Sequence, residues 1–131
     1  MRYIGIDYGR KRVGIAVSDT EGKFALPHAV WPNDDRLIGN IKKLCLEKAA
    51  NGVVIGESRD LDGRENEVLK DIEFLVGELQ AELSIPIYLE PEFYTSAEAS
   101  RIQGKNNMHD ASAAALILKS YLERHTNYGN H

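Results

Sequence analysis

Apolar and polar residues alternate along residues 2–8, a stretch rich in Tyr and Ile, and this period of two predicts a first strand. Gly9 marks a tight turn, because glycine takes positive φ without steric penalty. Residues 12–18 alternate again and predict a hairpin partner. Asp19-Thr20-Glu21-Gly22 reads as a second turn, and residues 23–31 as a third strand kinked at Pro27. Beyond this antiparallel meander the period changes. Leu37, Ile41, Leu44 and Lys48 line one stripe, widened by Ile38 and Cys45. Asn33 or Asp34 is the candidate N-cap, and Asn51-Gly52 the expected helix end. Val53-Val54-Ile55-Gly56 is wholly apolar, as befits a strand covered on both faces. A polar loop from Glu57 to Arg64 leads to a second amphipathic helix through Val68, Ile72, Leu75 or Val76, Leu79 and Leu83. Ile85 to Leu89 predicts strand five, ending at Pro91, which limits regular pairing. A short helix is expected from Thr95 or Ser96 to about Gly104, and a last helix from Asp110 to Arg124.

The order β-β-β-α-β-α-β-α defines an α/β fold. Three strands pair antiparallel. Helical crossovers make the remaining pairing parallel, because parallel neighbours need a long connection. The expectation is a mixed five-stranded sheet with helices on both faces, strands one and five central, which is the order of a ribonuclease-H-like domain. Residues 1–125 form one domain, and 126–131 are expected to fray.

Composition narrows the setting. With 131 residues and 43% hydrophobic content the chain can bury a core without staples. The single Cys45 cannot form an internal disulfide, which points to a reducing compartment. No leader is recognisable and no apolar run approaches the ~20 residues that span a bilayer, so a soluble cytoplasmic protein is expected. The net charge of −4 speaks against a broad polyanion-wrapping surface, while leaving room for a local cationic rim.

Three acids stand where such a rim would matter. Asp7 ends strand one and shares its face with Gly5. Taken alone, it equally well closes its own turn by accepting a backbone N–H. Glu92 follows strand five, with Glu90 two residues earlier on the same side. Alone, Glu92 reads as a solvated strand end. Asp110 starts the last helix and reads as an ordinary N-cap. Yet it falls on one stripe with Ala114, Ile117 and Tyr121, the stripe turned to the sheet. A carboxylate drawn toward a packed face needs a partner. If the three share one corner, their repulsion calls for a cation, and hard oxygen ligands select Mg²⁺ or Mn²⁺. Two such ions suit phosphodiester hydrolysis. Arg10, Lys11 and Arg12 on the first hairpin are candidate phosphate contacts, with Arg59 and Arg64 weaker ones of the same type. Tyr8 is a candidate for stacking on a base. Trp31 reads more naturally as a core or strand-end residue.

The block Gly5-Ile6-Asp7-Tyr8-Gly9-Arg10-Lys11-Arg12-Val13-Gly14-Ile15-Ala16-Val17-Ser18-Asp19 closely resembles the opening signature of the YqgF/RuvX family. Val53 to Gly56 with Asp62-Gly63, then Glu92 with Thr95, Ser96 and Glu98, then Asp110 to Ala114 with Ile117-Leu118 and Tyr121-Leu122, resemble its later segments in order. Members are described as Holliday junction resolvases and as nucleases that mature the 5′ end of pre-16S ribosomal RNA. The resemblance implies a ribonuclease-H-like fold, with Asp7, Glu92 and Asp110 as catalytic metal ligands. It also implies a nuclease acting on structured RNA (pre-16S rRNA) or branched DNA. Oligomeric state, monomer or homodimer, stays open. Two departures stand out. Pro91-Glu92-Phe93-Tyr94 occupies a place where the family usually has Asp-Glu-Arg-Leu, and Glu57-Ser58 one where it usually has Leu-Pro. A catalytically weak nucleic-acid-binding module of the same fold is therefore the alternative. A third reading, a sugar-kinase-like nucleotide-binding domain, rests on Asp-x-Gly in the first hairpin, but such proteins clamp ATP between two domains.

Overall fold

The computed structural model describes residues 1–58, 67–92 and 108–129. Its elements run β1 (Tyr3–Asp7), β2 (Arg12–Ser18), β3 (Ala25–Pro32), α1 (Leu37–Lys48), β4 (Gly52–Ser58), α2 (Glu67–Glu82), β5 (Ile87–Glu92) and α3 (Met108–Gly129). The expected short helix near Thr95–Gly104 lies outside the described residues. The five strands form one sheet in the order β3-β2-β1-β4-β5. β1–β2 and β2–β3 pair antiparallel, whereas β1–β4 and β4–β5 pair parallel.

The mixed sheet agrees with the sequence reading; the position of β5 does not. β1 is central, but β5 is an edge strand. The strand also continues through Pro91, which pairs with Glu57, to Glu92, which pairs with Ser58. An edge strand tolerates proline because the missing N–H can face away from the ladder. β3, the opposite edge, carries Pro27 and Pro32. Its register against β2 shifts between Ile15 and Ala16, whose partners are Ala29 and Pro27, so His28 is the extra residue of a bulge where a kink was expected.

Alternation divides the sheet between two cores. Ile4, Ile6, Val13, Ile15, Val53 and Ile55 pack beneath α1 and α2 with the predicted stripe residues Leu37, Ile41, Leu44, Cys45, Ile72, Leu75 and Leu79. Burial pushes the Cys45 thiol up to about 11, so this residue acts as a small apolar packing group. On the other face Ala16 and Val54 pack beneath α3 against Ala114, Ile117, Leu118, Tyr121 and Leu122.

The ends of α1 differ from expectation. Arg36 is the N-cap residue and makes no side-chain capping bond. Asp34 instead accepts the Arg36 N–H at 2.9 Å in a turn ahead of the helix. At the other end Ala49, with φ of 51°, takes the left-handed cap that Asn51-Gly52 was expected to supply. Gly52 serves packing instead. A Cβ there would come within 2.9 Å of the Tyr3 ring. The last helix runs to Gly129, past the end expected at Arg124.

Candidate active site

The helix α3 runs antiparallel to β1, and two contacts set its register. The Tyr3 ring meets Tyr121 edge-on at 5.6 Å. Two residues further along β1, a Cβ on Gly5 would lie 2.8 Å from the Leu118 Cβ and 3.0 Å from the Ala114 carbonyl oxygen. As the strand advances, the helix is met at progressively earlier residues. Two more residues, about 6.6 Å of strand, bring the chain to Asp7. That length is about one helical turn, so the N-terminal half of α3 extends toward the strand end that bears Asp7. Glycine at position 5 is what permits this approach.

Asp7 is the last residue of β1 and is half-buried. It pairs with Gly14 of β2. Ile6 pairs with Ile55, and Gly56 pairs with Glu90, so Asp7, Gly56 and Glu90 occupy one row across the sheet. All three follow the alternation of Gly5, Val54 and Tyr88, which puts them on the α3 face. Glu92 is two residues beyond Glu90, at the C-terminal end of β5. Asp110 is the third residue of α3. The C-terminal ends of three parallel strands thus lie side by side at one end of the sheet. The side chains of Glu92 and Asp110 lie outside the described residues. Among the described residues no three His, Cys, Asp or Glu side chains form a cluster that could hold a metal.

Glu90 is the acid whose setting sequence reasoning missed. It is 2% exposed. Its Oε2 accepts hydrogen bonds from the Ser120 Oγ at 2.9 Å and the Arg124 guanidinium at 3.0 Å, while Oε1 is buried and accepts none among the described residues. Only the alternation with Glu92 hinted at it, since the α3 register is invisible in sequence. Away from that end of the sheet, the same face is sealed by Tyr88 stacked on Tyr121 at 5.1 Å, with His125 beyond at 4.0 Å. Burial, then the neighbouring Tyr88 and Tyr3, raise the Tyr121 phenol and keep it protonated.

The first hairpin forms the rim. Asn33 clamps it from the end of β3: its Nδ2 donates to the Gly9 carbonyl at 2.8 Å and its backbone N–H to the Lys11 carbonyl at 3.0 Å. Asn33→Ala keeps the backbone bond and removes the side-chain one. It is expected to cost about 1 kcal/mol, read as a lower urea midpoint. Arg10, Lys11 and Arg12 are exposed on this hairpin. Arg10 lies 3.4 Å from Asp71 of α2 in an exposed ion pair. Such a pair is worth little and can be exchanged for a phosphate. Tyr8 is half-buried and packs with the α1–α2 core, on the opposite face from Asp7. Trp31 packs against that same core, edge-on to His28. Arg59 and Arg64 lie outside the described residues.

Residues 1–124 match the family RuvX, described as Holliday junction resolvase. This chain belongs to the RuvX family. A relative from Nitratidesulfovibrio vulgaris, named "Putative pre-16S rRNA nuclease", is 33% identical over 93% of this chain and 93% of its own length. One of the same name from Dictyoglomus turgidum is 30% identical over 94% of each. Among solved structures, RuvC of Thermus thermophilus covers 97% of both chains with a TM-score of 0.65 at 18% identity. The Holliday junction resolvase of fowlpox virus covers 95% of this chain and 99% of its own, with a TM-score of 0.59 at 14% identity. These two establish that the RuvX chain has a resolvase-like, ribonuclease-H-like fold. Among the described residues no helix is long and apolar enough to cross a membrane.

Proposed function

We propose that this RuvX protein is a divalent-metal-dependent nuclease that hydrolyses phosphodiester bonds. Its first substrate is structured RNA, namely the 5′ end of pre-16S rRNA, and its second is branched DNA. The observation that carries this reading is the antiparallel seating of α3 on Gly5, which turns the first helical turn toward the strand end that bears Asp7. The names borne by its relatives, pre-16S rRNA nuclease and Holliday junction resolvase, support the two substrate classes.

The residues fit a hard cation. The acids are carboxylates, the hard oxygen ligands that Mg²⁺ and Mn²⁺ take. Asp7, Glu92 and Asp110 would hold Mg²⁺ or Mn²⁺, which when bound activates the attacking water and stabilises the leaving oxygen. The protein's share is placement. Gly5 lets the helix close down, β1 and β5 present their terminal carboxylates from rigid strands, and the Arg10–Arg12 hairpin draws the phosphate chain to the rim.

A side-by-side assay tests this. The wild-type protein is mixed with a pre-16S 5′ precursor fragment and with a four-way DNA junction, with Mg²⁺, with Mn²⁺ and with EDTA. Cleavage of the RNA that needs metal and disappears in Asp7→Asn is the expected result. Cleavage of the junction alone would reverse the substrate order. RNA binding without metal-dependent cleavage of either would replace the nuclease by a nucleic-acid-binding module.

A further inference from the structure

His28 and Trp31 stand three residues apart on β3 and would point to opposite faces of a regular strand. The bulge at His28 removes that opposition. It brings the His28 ring to 6.5 Å from the Trp31 ring at 90°, so the two form the walls of a right-angled recess. Helix α1 supplies the remaining wall through Asn40, Lys43, Leu44 and Glu47, and the enclosed volume is about 230 Å³. Pockets for drug-sized ligands run from about 300 to 1,000 Å³, so this one suits a single planar ring system. Its lining matches a nucleobase with its phosphate. The two rings offer π faces, Asn40 and Glu47 offer hydrogen bonds to a base edge, and Lys43 offers a cation. Lys43 lies 4.0 Å from Glu47 in an exposed pair of little worth, so it can turn to a phosphate.

The surroundings favour a nucleic-acid strand as the occupant. Trp31 is two residues before Asn33, whose backbone N–H bonds to the Lys11 carbonyl, so the recess lies next to the cationic first hairpin. Arg10 of that hairpin is turned to the same side of the sheet, where it meets Asp71 of α2. Arg36 precedes Asn40 by four residues and Lys43 by seven, on one stripe of α1, and both cations are exposed. A phosphate chain leaving the hairpin therefore meets Arg36 and then Lys43. A peptide adding to the sheet edge fits less well, because Pro27, Pro32 and the bulge interrupt the ladder. We infer that the recess between β3 and α1 binds one unpaired base of the RNA strand, held in the angle of His28 and Trp31 with its phosphate on Lys43. This deepens the proposed substrate reading and rests on it for the identity of the strand, but not on the cation or its ligands.

Trp31 is the chain's one tryptophan, so its fluorescence reports on the recess directly. The full-length protein is titrated in EDTA with a short oligouridylate, with a blunt RNA duplex and with UMP. Trp31 emission is followed throughout, and anisotropy of end-labelled RNA reports total binding. The expected result is saturable quenching by the single strand and none by the duplex. His28→Ala should raise the single-strand Kd about tenfold. Lys43→Ala should raise it about threefold and make the log–log salt slope shallower by about 0.7. Phe74→Ala, which removes a ring 70% exposed on α2, should leave the Kd unchanged. A single strand that binds without quenching, or a wild-type Kd in His28→Ala, overturns the inference. So does UMP that quenches at the same concentration as the oligomer, because the recess would then serve free nucleotides. No RNA binding by anisotropy removes the proposed substrate as well. Quenching as expected, with no cleavage in the metal-dependent assay, removes the nuclease and leaves the recess standing.

Discussion

Replacing Asp7 with asparagine is expected to slow single-turnover RNA cleavage about a thousandfold while leaving the fold intact. The substitution keeps size and shape at the last residue of β1 and removes one negative charge. Stability should change by no more than about 1.5 kcal/mol, because asparagine keeps a hydrogen-bonding oxygen and the position lies outside both apolar cores. Chemistry is affected far more. A metal ligand contributes through charge stabilisation worth several kcal/mol in the transition state, and each ~1.4 kcal/mol is a factor of ten. RNA affinity should stay constant or improve, since one charge repelling phosphate is gone. The check is a rate at saturating RNA beside a filter-binding Kd. A rate loss smaller than tenfold would remove Asp7 from the ligand set.

The second large effect is expected at Gly5. Valine there brings a Cβ to 2.8 Å from the Leu118 Cβ and 3.0 Å from the Ala114 carbonyl oxygen. The carbonyl belongs to the helix ladder and cannot rotate aside, so the whole of α3 must lift. Overpacking of this kind costs about 1–3 kcal/mol and more where backbone is struck. The lift also moves the first turn of α3 away from β1, and a displacement near 1 Å can cost about a hundredfold in rate. Gly5→Val should therefore lower the urea midpoint and also depress the activity of the fraction that remains folded, measured after normalising to the circular dichroism signal. Gly39 and Gly77 provide the contrast. Both are exposed within helices with nothing within 4 Å of an added Cβ, so alanine there should stabilise by up to about 1 kcal/mol without touching cleavage. A Gly5→Val protein as stable and active as those controls would mean that α3 is held by something else.

These expectations show which features sequence alone makes legible. The strands and the two apolar faces were readable because alternation is local: Ile4 and Ile6 declare one face and Gly5 the other. The last helix was readable from Ala114, Ile117 and Tyr121, which are buried as their spacing requires. Local statistics failed where a distant partner decided the outcome. Asn33 has the chemistry of a helix cap but is drawn to the Gly9 carbonyl across the sheet. Ala49 adopts the left-handed cap although a glycine stands three residues later, because Gly52 is needed under the Tyr3 ring. Pro91 was taken as the end of β5, whereas the strand runs on because it lies at an edge. At the candidate site, Asp7 could be singled out from its turn and its glycine neighbour. Glu90 could not, because its meaning comes from Ser120 and Arg124 across the register of α3. Tyr8 illustrates the converse: beside Asp7 in sequence, it packs on the opposite side of the sheet.

The prolines on β3 and β5 bear on how this molecule behaves in a crowded solution. An open sheet has two free margins, and each is a template on which a stranger's backbone can zip. One margin here shows Phe24 and Leu26, 66% and 60% exposed, next to Pro27, and the other includes Pro91. Each ring deletes an amide and breaks the continuous donor row that fibril growth requires. The fold thus holds its sticky borders in check with imino acids, and replacing Pro27 or Pro91 would unmask a tendency to self-assemble.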